Sequence, residues 1–290
     1  MTTPEALRAE ASDAASAFPP LLAEAEHLAT TVLLGEHGRR RAGMGDAFWQ
    51  YRPAQAIDEA RNIDWRRSAR ADAHFVREKE WQIAQSVMMW IDRSASMGFS
   101  SDKDLPTKAN RARLIGLAAA ILLFRGGERV GLTGLNLPAR AGQMQLMRLA
   151  GALSEEDETE YGAPVARGML PHSRAIFISD FLGEIGDVEA ALTDAADRGV
   201  RGVLLQVLDP QEEAFPFDGR TIFESMKGGL QHQTLKAGDL RDRYLERLAE
   251  RKGHLADLAH RTGWQVSSHH TSQSAAAALL WIHGALGRHT

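Results

Sequence analysis

Short apolar segments alternate with helix-like segments from Trp81 to the end of the chain, and this alternation constrains the fold more than any other feature. The apolar segments have the length of buried strands and cover residues 87–91, 130–135, 175–179, 202–208 and 264–268. Apolar residues recur at helical spacing in residues 106–124, 188–196, 239–263 and 275–286. Strands that alternate with helices form parallel sheets covered by helices on both faces. The sequence therefore predicts an α/β fold with a doubly wound, mostly parallel, Rossmann-like sheet.

The first 80 residues have a different character. A helix is predicted after the pair Pro19-Pro20 and is expected to end at Gly35. An irregular stretch rich in glycine, arginine and aromatic residues follows it. We expect residues 1–80 to pack as an N-terminal segment on a main domain of residues 81–290. The turn signals Asp218-Gly219 and Gly228-Gly229 predict a β-hairpin insertion near residues 215–236.

Composition excludes several classes of function. The chain has 290 residues and a formal net charge of -4, which argues against general binding to nucleic acid. It has no cysteine, so disulfides and thiolate metal sites are excluded. No apolar run reaches the roughly 18 to 20 residues of a membrane span, and the first residues lack the form of a signal peptide. We therefore expect a cytoplasmic protein without a membrane span.

A candidate metal site follows the first apolar strand. Asp92, Ser94 and Ser96 form an Asp-x-Ser-x-Ser loop directly after residues 87–91. A small hard cation such as Mg²⁺ prefers oxygen ligands of this kind. Asp180 ends a second apolar strand, and strand ends of an open α/β sheet are where ligands collect. The alternative is structural, with both serines capping the turn while Asp92 accepts backbone hydrogen bonds.

This part of the chain resembles a von Willebrand factor A (vWA) type domain, whose metal-ion-dependent adhesion site uses the same loop. The resemblance implies a sheet with strand order 3-2-1-4-5-6, with Asp92, Ser94 and Ser96 as ligands of Mg²⁺, Mn²⁺ or Ca²⁺. It also implies that Asp180 acts on the metal through water. Such sites usually add a threonine, but the matching position here is Ala163, and Thr159 is the candidate substitute.

The upstream segment narrows the resemblance to the proteins that contain domain of unknown function 58 (DUF58). The run 63–70 carries most of this similarity, together with Val76-Arg77-Glu78 and the shorter motifs Gly38-Arg39, Gly43-Met44-Gly45, Phe48 and Tyr51-Arg52. Ile57-Asp58 departs from the Gly-Asp pair usual ahead of this run. The resemblance implies a partner of a MoxR-type AAA+ ATPase that helps to assemble or activate a client protein. It implies no known reaction.

Arginines in the same run are candidates for contact with a partner. Arg66, Arg67 and Arg70 could form bidentate contacts with carboxylates or phosphates. The structural alternative is that Ile63 and Trp65 pack against the sheet while Asp64 pairs with an arginine inside the segment.

Three functions are compatible with these observations. The first is a non-enzymatic, metal-assisted protein-binding module in which a carboxylate of the partner completes the coordination of the cation. The second is a metal-free scaffold, which Ala163 favours. The third is a metal-dependent phosphoryl hydrolase that uses Asp92, although Ser94 stands where aspartyl phosphatases of the haloacid dehalogenase type place a second aspartate.

Overall fold

Six strands pair into one sheet in the computed structural model of the protein. The structure describes residues 19–35, 48–54, 63–69, 74–79, 85–135, 137–229 and 231–287. The chain divides into two compact units, one formed by Met1–Gly35 with Gln85–Thr290 and the other by Glu36–Ala84. This division differs from the predicted segment 1–80, because the first helix belongs to the unit that contains the sheet.

The central sheet is mostly parallel. Its strands are β3 (Ser86–Ile91), β4 (Arg129–Leu132), β5 (Leu137–Arg140), β6 (Arg174–Ser179), β7 (Arg201–Leu208) and β10 (Gln265–His270), in the spatial order β10-β7-β6-β3-β4-β5. Only β5 is antiparallel to its neighbour among these pairs. If the six strands of this sheet are numbered 1 to 6 in chain order, starting with β3, their spatial order is 3-2-1-4-5-6, as expected. The predicted mostly parallel α/β sheet is confirmed.

Helices cover both faces of this sheet because successive residues of a strand point to opposite sides. From β3, Val87, Met89 and Ile91 join one buried cluster while Met88 and Trp90 join another. The first cluster includes residues of α1 (Pro19–Gly35), α3 (Lys108–Arg125), α4 (Gln143–Ser154) and α8 (Ala275–Gly287). The second includes residues of α5 (Ile185–Asp197) and α7 (Arg241–Thr262).

The predicted hairpin is present. Strands β8 (Thr221–Glu224) and β9 (Gln231–Thr234) pair antiparallel between the short helix α6 (Pro210–Ala214) and α7. In the unit that contains the sheet, the helices α4 and α6 and the edge strand β5 were not predicted. The four residues of β5 include a proline, which is disfavoured inside sheets but tolerated on an edge.

The second unit contains a small antiparallel ladder. Strand β1 (Phe48–Pro53) pairs with β2 (Phe75–Lys79), and a four-residue helix, α2 (Trp65–Ser68), lies between them in the chain. The Ser68 hydroxyl donates a hydrogen bond to the Asp64 carbonyl at 2.8 Å and accepts one from the Phe75 amide at 2.9 Å. The buried serine therefore holds the start of β2 against the end of α2. Among the helices described for either unit, none combines the length and apolar character needed to cross a membrane.

Candidate metal and partner-binding edge

Two carboxylates lie at the carboxyl ends of adjacent parallel strands. Asp92 follows β3 and Asp180 follows β6, and these strands pair in register up to Ile91 and Ile178. The Asp92 amide continues the ladder by donating to the Ile178 carbonyl at 2.9 Å. The sheet register therefore brings the two predicted aspartates to one edge.

Asp92 is a buried carboxylate, with only 2% of its surface exposed. Its Oδ1 accepts a hydrogen bond from the Ser94 amide at 2.9 Å, and its Oδ2 accepts one from the Ser179 hydroxyl at 2.7 Å. Burial raises the pKa of Asp92, and these hydrogen bonds only partly oppose the rise. Within the described part of the chain no basic side chain forms an ion pair with it.

The two serines of the loop present their hydroxyls together. Ser94 Oγ and Ser96 Oγ lie 3.3 Å apart, and both residues are buried. The loop enters a single 3₁₀ turn at Ala95–Gly98. The backbone of this turn is held from the other side by the acidic segment, residues 155–160. Ala95 N donates to the Thr159 carbonyl at 3.0 Å and Ser96 N to the Glu160 carbonyl at 2.9 Å. The three oxygen-bearing side chains therefore sit on a fixed backbone.

Gly162 closes one side of the Asp92 carboxylate. A Cβ atom at position 162 would lie 2.3 Å from Asp92 Oδ1 and 2.5 Å from Asp92 Cγ. The carboxylate is already held by Ser94 and Ser179, so it has little freedom to move away. Only glycine allows the backbone to approach the carboxylate this closely.

Asp180 has a cation of its own. Lys108 Nζ lies 2.9 Å from Asp180 Oδ2 and 2.6 Å from Glu212 Oε1, and both Lys108 and Asp180 are only 1% exposed. Asp180 Oδ1 accepts from the Leu182 amide at 3.0 Å. Burial acts to lower the pKa of Lys108, but the charges of Asp180 and Glu212 outweigh it and the pKa is raised. Burial likewise raises the pKa of Glu212 against the opposing effect of Lys108.

The donor set around Asp92 fits a hard cation in part. Asp92, Ser94 and Ser96 offer one charged and two neutral oxygens, and a cation there would neutralise a buried charge that has no ion-pair partner among the described residues. Asp180 is engaged by Lys108, Ala163 has no hydroxyl, and Thr159 is exposed. No group of three or more His, Cys, Asp or Glu residues in the described ranges could hold a metal ion. Besides the Asp92 carboxylate, any cation would thus depend on hydroxyl and water ligands.

The remaining predicted residues lie in different places. Arg66 is exposed on α2 in the second unit, whereas the Arg67 side chain and all of Arg70 lie outside the described residues. Trp65 is 58% exposed and packs edge-on against His74 with ring centroids 5.5 Å apart. In the acidic segment, Glu160 accepts hydrogen bonds from the Met226 and Lys227 amides at 3.0 and 3.2 Å, so it holds the turn of the β8–β9 hairpin.

Sequence reasoning missed four residues of this edge, namely Lys108, Ser179, Glu212 and Gly162. One signal was available for Lys108, which opens α3 where the helix dipole disfavours a positive charge. A lysine at that position suggests compensation by carboxylates elsewhere. Glu212 was also visible as the N3 residue of the capping box that begins at Asp209. Neither signal identifies the other member of the ion pair.

The chain is similar to a family of proteins and to several individual proteins. The family model described as "Protein of unknown function DUF58" matches residues 50–254. An uncharacterized protein of Mycobacterium tuberculosis, Rv1480, is 27% identical over 245 residues, which cover 79% of this chain and 74% of the relative. The uncharacterized protein Mb1516 of Mycobacterium bovis matches to the same extent.

Two solved structures are similar at 16% sequence identity. One is the hypothetical protein BatB from Bacteroides thetaiotaomicron, with a TM-score of 0.44 over 69% of this chain and 98% of that chain. The other is an aerotolerance-related membrane protein from Bacteroides fragilis, with a TM-score of 0.45 over 71% of this chain and 100% of that chain.

Proposed function

Because the chain belongs to the DUF58 family of proteins of unknown function, we propose that it is a non-enzymatic protein-binding module of vWA type. In this proposal Asp92, Ser94 and Ser96 hold Mg²⁺, and a carboxylate of the partner binds to the same cation. The partner is a MoxR-type AAA+ ATPase or its client, as the family resemblance implies.

One observation carries the metal part of the proposal. Asp92 is a buried carboxylate with no ion-pair partner among the described residues, while the hydroxyls of Ser94 and Ser96 lie beside each other in the same loop. A buried charge is costly unless it is paired. Asp180, at the neighbouring strand end, already has Lys108 as its partner. The edge therefore has one compensated and one uncompensated carboxylate.

A cavity of about 160 Å³ beside Asp92 gives room for a partner side chain. It is lined by the backbone and side chains of the strand ends and the acidic segment, including Arg93, Thr133, Asp157 and Ala163. With a single carboxylate in the ligand set, the affinity for the cation is expected to be low without the partner.

Metal binding is tested by titrating the full chain with Mn²⁺ and following free Mn²⁺ by electron paramagnetic resonance. The wild-type chain should bind one Mn²⁺, Mg²⁺ should compete for it, and Asp92→Ala should abolish it. Asp257→Ala removes an exposed aspartate on α7 and serves as the matched control. Equal Mn²⁺ binding by wild type and Asp92→Ala would reject the assignment of this loop as the metal site.

A second candidate function is a metal-free scaffold, which the Lys108–Asp180 ion pair favours. The ammonium group supplies from within the chain the positive charge that Asp180 would otherwise take from a metal ion. An affinity pull-down with wild type and Asp92→Ala, each with Mg²⁺ or with chelator, separates the two candidates. Recovery of an AAA+ ATPase only by wild type with Mg²⁺ supports the metal-assisted module, and equal recovery in all four samples supports the scaffold.

The hydrolase alternative predicts a different result. If Asp92 served phosphoryl transfer, the full chain with Mg²⁺ would turn over p-nitrophenyl phosphate, and Asp92→Ala would abolish turnover. The non-enzymatic proposal predicts no turnover above that of the Asp92→Ala variant.

A further inference from the structure

An open aromatic groove lies beside the strand-end carboxylates. It encloses about 580 Å³ between the hairpin, α6 and the first turns of α7. Five aromatic rings line it, those of Phe99, Phe215, Phe217, Phe223 and Tyr244. Phe99 directly follows the 3₁₀ turn of the Asp92 loop, and Glu212, the partner of Lys108, lines the same groove. The groove is therefore continuous with the edge described above.

The rings of Phe215, Phe217, Phe223 and Tyr244 form one packed cluster rather than separate flat platforms. Phe215 is buried, and its ring lies 4.8 Å from that of Tyr244, 5.3 Å from Phe217 and 5.7 Å from Phe223. Arg241 supports this wall by donating to the Phe215 carbonyl at 3.0 Å. The groove is thus a preformed apolar surface, of the type that binds a large side chain of a partner.

Two positive charges border this apolar surface. Arg243 and Arg247 lie four residues apart on α7, so they project from the same side of the helix. Both line the groove and both are exposed. In the ranges that the structure describes, neither forms an ion pair. Two guanidinium groups that line a groove with aromatic rings complement carboxylates that flank an aromatic or large apolar side chain.

We propose that this groove binds an acidic peptide segment that carries an aromatic or large apolar side chain. The apolar side chain enters between Phe217, Phe223 and Tyr244, and the flanking carboxylates contact Arg243 and Arg247. This inference rests on the proposed function as a protein-binding module, and it identifies the chemistry of the partner. It does not require the cation at Asp92.

A peptide fits the groove better than single-stranded nucleic acid does. Nucleic acid binding of this kind uses exposed rings as stacking platforms along a continuous basic channel. Here Phe215 is buried, four of the rings pack against one another, and the two arginines lie on a single helix rather than along a channel.

The test is a selection of random 12-residue peptides displayed on phage against the immobilised full chain in the presence of chelator. Enriched peptides should combine Asp or Glu with Trp, Phe, Tyr or Leu. One enriched peptide, labelled with fluorescein, is then measured by fluorescence anisotropy. Arg243→Glu/Arg247→Glu should weaken its binding by at least about tenfold, as should replacement of its aromatic residue by alanine.

Arg140→Glu/Arg148→Glu is the matched control, because it reverses two exposed arginines on β5 and α4. This control and Asp92→Ala should both leave peptide binding unchanged. The inference is overturned if no peptide is enriched, if the enriched peptides lack carboxylates, or if Arg243→Glu/Arg247→Glu binds as wild type does. It is also overturned if a 12-nucleotide oligothymidylate binds the groove in preference to the peptides. These results leave Mn²⁺ binding at Asp92 as a separate measurement, so the two proposals can fail independently.

Discussion

Replacing Lys108 with methionine tests the ion triad that Lys108 forms with Asp180 and Glu212 at the strand ends. Methionine keeps most of the length of the side chain but removes the ammonium group that lies between Asp180 and Glu212. Asp180 Oδ2 and Glu212 Oε1 each lose the partner that now lies 2.9 and 2.6 Å away. Asp180 Oδ1 keeps the Leu182 amide and Glu212 Oε2 keeps the Asp209 amide. Two carboxylates would then remain close together without a cation.

The expected loss follows from the burial of these groups. Removing one partner of a buried ion pair typically costs about 3–5 kcal/mol, because the remaining charge is left uncompensated. Asp180 is 1% exposed and cannot regain water, whereas Glu212 is 16% exposed and can recover part of its hydration. We therefore expect Lys108→Met to lower the free energy of unfolding by about 3 kcal/mol at pH 7, near the lower end of that range.

The assay is urea unfolding followed by circular dichroism, with hydrogen exchange of the segment 174–182 to localise the effect to the larger unit. Lys252→Met is the control, since its ion pair with Glu213 is partly exposed and should contribute at most about 1 kcal/mol. The triple variant Lys108→Met/Asp180→Asn/Glu212→Gln should recover much of the lost stability, because no buried charge remains. A Lys108→Met chain no less stable than Lys252→Met would refute this account of the triad.

The difference in stability between wild type and Lys108→Met should depend on pH. Without Lys108, the folded-state pKa of Glu212 should rise further, because burial acts without the opposing cation. A carboxyl group whose pKa is higher in the folded chain stabilises the fold as pH falls through that pKa. The difference in stability between wild type and Lys108→Met should therefore narrow between pH 8 and pH 5. A difference that widens on acidification would contradict this assignment.

Three further perturbations have defined outcomes. Asp92→Asn should raise the urea midpoint in chelator, because burial raises the pKa of Asp92 and so disfavours its ionised form. The same variant should abolish any stabilisation by Mg²⁺. A lowered midpoint in chelator would contradict this expectation. Gly162→Ala should displace the Asp92 carboxylate and weaken Mn²⁺ binding. Gly151→Ala is the control, because a Cβ atom there meets no atom within 4 Å, and it should leave Mn²⁺ binding unchanged. Equal Mn²⁺ binding by both variants would reject the close approach of Gly162 to the Asp92 carboxylate. Burial, with a smaller contribution from Arg111, lowers the pKa of His269 from 6.5 to about 4. The free energy of unfolding should therefore decrease as pH falls through this interval. His269→Gln should reduce this pH dependence, and an unchanged pH profile would refute the role of His269.

The larger part of the fold could be predicted from the sequence because its signals are local. Apolar segments of strand length alternate with segments of helical spacing, and this pattern gave the parallel sheet and the strands that end at Asp92 and Asp180. The turn pairs Asp218-Gly219 and Gly228-Gly229 gave the hairpin. The short elements β5 and α6 escaped prediction, since four or five residues carry too little periodicity to be distinguished from a loop.

The site was only half determined by sequence. Asp92, Ser94 and Ser96 are contiguous, so their common loop is visible in the chain itself, and Asp180 follows from the geometry of parallel strand ends. Lys108 and Asp180 are 72 residues apart, and Lys108 and Glu212 are 104 residues apart. No periodic pattern links residues at such separations.

Only the tertiary structure decided which carboxylate has a cation. Packing of α3 and α6 at the carboxyl edge of the sheet brings Lys108 to Asp180 and Glu212, whereas Asp92 receives hydroxyl and amide donors and the close approach of Gly162. Both aspartates look alike in sequence, each at the end of an apolar strand. Their electrostatic difference comes from side chains distant in the chain, because charge interactions depend on distance in space and on burial rather than on separation in sequence.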